Sequence, residues 1–210
     1  MDPSHLDTSI PFGHEAAWTF GATSSGTTTV GADAPAILDG SHDLTIAVWV
    51  KPDPSSSGER VVMTQDAGGG TSQFKLLEDA NNRFEFCILV PSGADPPCAI
   101  SNNSYPSAPV DGGGPWSLLI GRWLSSTKAM EIQVRRYGTD GRWMQNLPLD
   151  VSSPVSRTLV PVASSRAVVV GRDQTADGHH WSGAIADPLI YDNYLAGSQL
   201  KAVTTARQEF

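Results

Sequence analysis

The sequence predicts an all-β protein, built as a two-sheet antiparallel jelly-roll sandwich with one short helix at the C-terminus. Three observations carry this. About a dozen short apolar or alternating runs recur at regular intervals. The 20 glycines and 15 prolines fall between those runs as turn signals. Helical spacing is confined to residues 195–207, where Leu200 and Val203 suit one side of a single short helix.

The elements follow in order. Residues 1–14 show no period and form an N-terminal arm; residues 15–210 form one domain, because no linker divides them. Trp18 and Phe20 share a face of a short strand, and a Thr-rich strand runs through 27–30. Residues 43–51 give the clearest strand. Leu44, Ile46, Val48 and Val50 alternate with Thr45, Ala47 and Trp49, so both faces are largely apolar, as in a central strand covered on both sides. A strand beginning at Val61 leads into the glycine run 68–70. Residues 73–77 and 83–88 flank the polar turn 78–82 as a hairpin. The stretch 91–115 is long enough to be a functional loop. Residues 116–123 make an apolar strand, and Met130, Ile132 and Val134 alternate with polar neighbours in the next. Residues 143–161, with three prolines, read as loop; 167–172 is a buried strand; 181–191 is the closing strand.

The formal charge of −8 is uneven: residues 1–105 hold 13 acids and 4 bases, residues 106–210 hold 9 acids and 10 bases. Such a surface repels phosphate backbones and anionic lipid, so nucleic acid is not an expected partner. No run is long and apolar enough to insert in a membrane. Cys87 and Cys98 are either bridged across a turn-rich loop or two buried thiols.

The chain resembles the LamG-like jelly-roll family of the concanavalin A-like lectin and glucanase superfamily. LTIAVWVK at 44–51 is similar to the family's FTISAWVK strand, and VVMTQD at 61–66 with FKL at 74–76 resembles its VVSQD…FxL hairpin. RFEF at 83–86, WSLLIG at 116–121 and VVGR at 169–172 follow in the family's order. WSGAIADPLIYDNYL at 181–195 resembles FxGxIDDVRIYxxALS, and pentraxins share that closing pattern at Gly183, Ile185, Asp187 and Leu195. Ala186 replaces the family's first acid, and Pro188 follows Asp187; a proline here removes a ladder donor and predicts a sheet edge or bulge. The resemblance implies an extracellular, non-catalytic module that binds glycan or a cell-surface or matrix protein, often beside a calcium ion. The residues given carry no signal-peptide run, so by themselves they also allow a cytoplasmic location.

Calcium needs six to eight oxygen ligands. The candidates are Asp66, Asp79, Asp173, Asp177 and Asp187, which lack D-x-D-x-D spacing and would have to be assembled across loops. Sugar recognition needs aromatic faces and polar anchors near loops. Tyr105, Trp143, Trp181 and Tyr194, with the imidazole of His179, are the candidate ligand-binding set, while Trp18, Trp49, Trp116 and Trp123 read as core. A glycoside hydrolase needs paired carboxylates. Glu85 and Glu131 stand on strands whose same-face neighbours are not acids, so no catalytic residue is assigned. No G-x-S-x-G elbow or zinc spacing is present, and the glycine run 68–70 lacks the lysine of a phosphate cradle. The predicted function is carbohydrate recognition, with a protein-binding adhesion module and a hydrolase as the alternatives.

Overall fold

A computed structural model describes residues 6–7, 17–20, 28–30, 42–68, 71–88, 97–105, 116–136, 150–156, 168–173 and 179–205. Trp143 and Asp177 lie outside the described residues, as do most of the 1–14 arm and residues 91–96 and 106–115 of the long loop.

The strands are β1 (Leu6–Asp7), β2 (Ala17–Phe20), β3 (Thr28–Val30), β4 (Leu44–Pro52), β5 (Arg60–Gly68), β6 (Thr71–Glu78) and β7 (Phe84–Ile88). They continue as β8 (Cys98–Ile100), β9 (Ser117–Leu124), β10 (Ala129–Arg136), β11 (Asp150–Val151), β12 (Val155–Ser156), β13 (Val168–Val170) and β14 (Gly183–Tyr191). Helix α1 (Gly197–Thr205) ends the described chain. One sheet runs β1-β2-β14-β4-β9-β10-β11, with β12 also pairing with β10. The second runs β3-β13-β5-β6-β7-β8. Every named strand pair is antiparallel. The predicted two-sheet sandwich with a single short C-terminal helix is therefore the observed architecture.

Period-2 alternation explains the core. Leu44, Ile46, Val48 and Val50 of β4 face the second sheet, where Phe74, Leu76, Phe84, Phe86 and Ile88 meet them in one apolar cluster. The sheets approach closely at Gly121, where a Cβ would stand 2.7 Å from the Phe86 ring, so only glycine fits. β4 lies between β14 and β9, as its two apolar faces predicted. Its other face, Ala47 and Trp49, packs with Leu118, Ile120, Leu195 and Leu200 in a separate cluster beneath the chain end and α1.

The segment 143–161, read as loop, contains β11 and β12, each two residues long and each paired to β10. A two-residue strand is too short to show alternation. The bulge expected at Pro188 is present: β14 loses register with β4 between Ala186 and Leu189, and Asp187 adopts φ 47°. Proline cannot donate to the β4 ladder, and the extra residue turns it out of the pairing.

Gly183 opens β14 at φ 129°, where a Cβ would lie 2.1 Å from the Lys51 carbonyl oxygen. Both the dihedral and the space exclude a side chain. Gly183→Ala is expected to destabilise the fold by more than about 2 kcal/mol in urea unfolding; an unchanged midpoint would contradict this account of the strand's start.

Candidate functional site

The two outer faces of the sandwich differ. On the helix-bearing sheet, the backbone just after β14 is held down. Thr45 Oγ1 donates to the Asn193 carbonyl at 2.8 Å and accepts the Leu195 amide at 2.9 Å. Arg122 Nη1 donates to the Leu195 carbonyl at 2.6 Å, and its other nitrogen pairs with Glu131. The Arg122 guanidinium lies 4.4 Å from the centre of the Tyr194 ring, whose hydroxyl donates to Glu131 at 3.2 Å. Tyr194, a candidate ligand residue, thus has its ring and hydroxyl engaged in closing this face.

On the six-stranded sheet, the side chains alternating away from the core include Val61, Thr64, Lys75, Leu77, Glu85 and Cys87. Val61, Leu77, Cys87 and Cys98 form a small apolar floor there. Cys87 and Cys98, direct register partners on β7 and β8, are joined as a disulfide, which resolves the two alternatives left by their spacing. Lys75 pairs with the buried Asp173.

Polar groups collect at the end of this face where the β6–β7 turn meets the start of β5. Asp79 organises the turn. Its Oδ1 accepts the amides of Asn81 and Arg83, both at 2.8 Å, and its Oδ2 accepts Arg83 Nε and Nη2 at 3.1 and 3.0 Å. Burial alone would raise the Asp79 carboxyl, but the Arg83 and Asn81 donors hold it below the usual range. Asn82 takes the left-handed conformation that completes the turn. Glu85 is half-buried, and burial, followed by the charge of Asp79, raises its carboxyl; Glu59 adds to the same effect. Glu59 and His179 stand 2.8 Å apart, with each side chain 40% exposed. The His179 carbonyl accepts the Val61 amide at 3.2 Å, and His180 bridges Val61 in parallel, which brings this distant segment to β5. The arrangement offers carboxylate and imidazole hydrogen-bonding groups beside a small apolar cluster whose Val61, Leu77 and Cys87 are buried.

The other sequence candidates lie elsewhere. Trp181 is wholly buried in the core with the Arg60 guanidinium 5.3 Å from its ring centre. Tyr105 packs on Phe84 and donates to Asp150 Oδ2 at 2.6 Å. Asp150 also accepts the backbone and side-chain amides of Asn102 and Asn103, pinning the segment after β8 to β11. Asp187 sits on the bulge of the opposite sheet, away from Asp79 and Asp173. Asp66 lies on β5, with its side chain outside the described residues. Of the metal candidates, Asp79 and Asp173 share a face, and both are engaged by basic side chains.

A profile described as the concanavalin A-like lectin/glucanases superfamily matches residues 20–201. The chain belongs to this superfamily. No curated protein matches it. Among solved structures, a heptameric SAP-like pentraxin from Limulus polyphemus aligns at 13% identity over 88% of this chain and 79% of its own, TM-score 0.59. The CBM40 domain of Ruminococcus gnavus IT-sialidase, bound to α2,6 sialyllactose, aligns at 12% identity over 88% of this chain and 100% of its own, TM-score 0.56. The botulinum neurotoxin serotype G binding domain aligns at 11% identity over 92% of this chain and 43% of its own, TM-score 0.61. At these identities, the shared property of these concanavalin A-like relatives is the fold.

Sequence reasoning did not single out Glu59 or Lys75 and weighed Glu85 only as a catalytic acid. The alternation of Glu85 and Cys87 against Phe84 and Phe86 was the available signal for that face; nothing local marks the Glu59–His179 pairing. A second buried pair, Arg60–Glu78 at 2.8 Å, lies behind this end of the sheet, and burial raises the Glu78 carboxyl to about 7. A folded-state value above the ordinary 4.5 means that Glu78 contributes stability below that pH and loses it as pH rises toward about 7. Glu78→Gln is expected to flatten the pH dependence of unfolding free energy across this window. An unaltered slope would show that Glu78 does not set it.

Proposed function

We propose that this chain is a non-catalytic carbohydrate-recognition module that binds its ligand on the outer face of the six-stranded sheet, at the end carrying Glu59, Asp79, Glu85 and His179. The observation that carries the proposal is the partly exposed Glu59–His179 pair beside Glu85 and the Asp79 turn, at one end of a face whose Val61, Thr64, Leu77 and Cys87 are buried, whereas α1 and the Arg122–Glu131–Tyr194 cluster close the opposite face. Sugar hydroxyls pair with carboxylates and imidazoles such as these. The superfamily, the sialyllactose-bound CBM40 and the toxin binding domains support a binding module. Glu85 and Glu131 point from opposite outer faces of the sandwich, so this pair does not form a hydrolytic site. The disulfide supports an oxidising, extracellular setting. Asp79 and Asp173 are engaged by Arg and Lys side chains, so a calcium ion would draw on the other candidates, Asp66, Asp177 and Asp187.

The acid-rich first half also favours a second function, adhesion to a basic protein surface. A glycan array probed with and without calcium separates the two. Retention of defined glycans in both conditions is expected, with affinity lowered about tenfold or more by Glu85→Gln and unchanged by Tyr194→Phe. No glycan retained by well-folded protein, or release of reducing sugar, would overturn the proposal; steeply salt-dependent protein binding indifferent to sugars would select the adhesion role.

A further inference from the structure

We propose that opening the Cys87–Cys98 bridge creates a thiolate-rich binding site for zinc, with Glu85 as the third protein ligand. Cys87 and Cys98 oppose each other directly across the β7–β8 pairing, and Glu85 lies two residues before Cys87 on the same side of β7. The Glu85 carboxylate stands 3.8 Å from the Cys87 sulfur, and the ligand atoms of the three residues all fall within 4.8 Å of one another. A tetrahedral zinc ion with the usual bond lengths spaces its ligand atoms about 3.5 to 3.8 Å apart, so the cluster is near the required size once the sulfurs separate.

The strands that present these groups do not rely on the bridge alone. Ser101 donates its amide to the Phe84 carbonyl at 2.8 Å, and Ile88 donates to the Pro97 carbonyl at 3.2 Å, one bond on each side of the cysteine pair. These bonds keep β7 and β8 opposed when the sulfurs part. Among the described strands β8 is the last of its sheet, with a neighbour on one side, so the small outward movement that the sulfurs need disturbs no other described strand pairing. Cys98 is partly accessible, which gives a reductant a route to the bridge.

The chemistry balances with a dithiol as reductant. Its two thiols are oxidised to a disulfide, while Cys87–Cys98 accepts two electrons and two protons. Zinc then displaces both thiol protons and takes two thiolates and one carboxylate, leaving a fourth position for water. Soft thiolate ligands favour zinc over calcium or magnesium at this point. The site shares Glu85 with the proposed carbohydrate surface, but metal binding is read without any glycan, so either proposal can fail alone.

Cobalt(II), a coloured stand-in for zinc, tests it on the full chain after reduction with a phosphine. Reduced protein is expected to show a stoichiometric thiolate-to-cobalt charge-transfer band that zinc abolishes, and oxidised protein none. Glu85→Gln, with its bridge intact before reduction, is expected to weaken cobalt binding at least about tenfold, and Cys98→Ser to remove the band. The proposal is overturned if reduced protein shows no band, if the band survives Cys98→Ser, if Glu85→Gln binds as tightly as the parent, or if reduction collapses the β-sheet circular dichroism.

Discussion

The pairing of β14 with β4, and the grip of Thr45 and Arg122 on the backbone just beyond it, decide how this sandwich is finished. β4 is apolar on both faces, so an uncovered outer face would leave Ala47, Trp49, Leu118 and Ile120 in water. The chain end must therefore fold back over that face. Thr45 uses its one hydroxyl both as donor and as acceptor to fix the turn at Asn193 and Leu195, and Arg122 caps the Leu195 carbonyl. These bonds deliver Leu195 and Leu200 onto the sheet. The bulge at Asp187 and the glycine at the start of β14 let the strand hold its pairing at both ends while expelling Pro188 from the ladder between them.

The same constraint assigns the polar residues to roles. Arg122, Glu131 and Tyr194 lie on the closed side, where an unpaired charge would be costly, and they satisfy one another. Arg60 and Glu78 form a buried ion pair near Trp181. Asp150 and Asp79 each collect donors from neighbouring backbone and side chains, acting as staples for irregular segments. The Glu59–His179 pair is partly exposed, with Glu85 half-buried nearby. These partly exposed groups are why the proposed recognition surface is placed on the sheet that the helix does not cover.

The fold was legible because its long strands carry strong periodic signals. β4 showed two apolar faces, the β6–β7 hairpin showed a polar turn between alternating runs, and Pro188 announced its own bulge. β11 and β12 were not legible, since two residues cannot display a period. The site was less legible for a different reason. Whether an aromatic next to a loop faces inward depends on the partner sheet: Trp181 follows a polar loop, yet its backbone bond to Gly171 draws it into the core. Tyr105 and Tyr194 are similarly engaged by Asp150 and Arg122, residues 45 and 72 positions away in the chain. Glu59 and His179 meet only because their segments bridge at Val61 and His180, a contact without a local pattern.

Hydrogen–deuterium exchange on the glycan-bound protein tests the central claim, that one face is closed by the chain end and the other recognises ligand. Protection concentrated on β6, β7 and the Glu59–Val61 segment, with residues 193–203 unchanged, is the predicted result. Protection over α1 and the Thr45–Arg122 grip, with β6 and β7 unaffected, would contradict it.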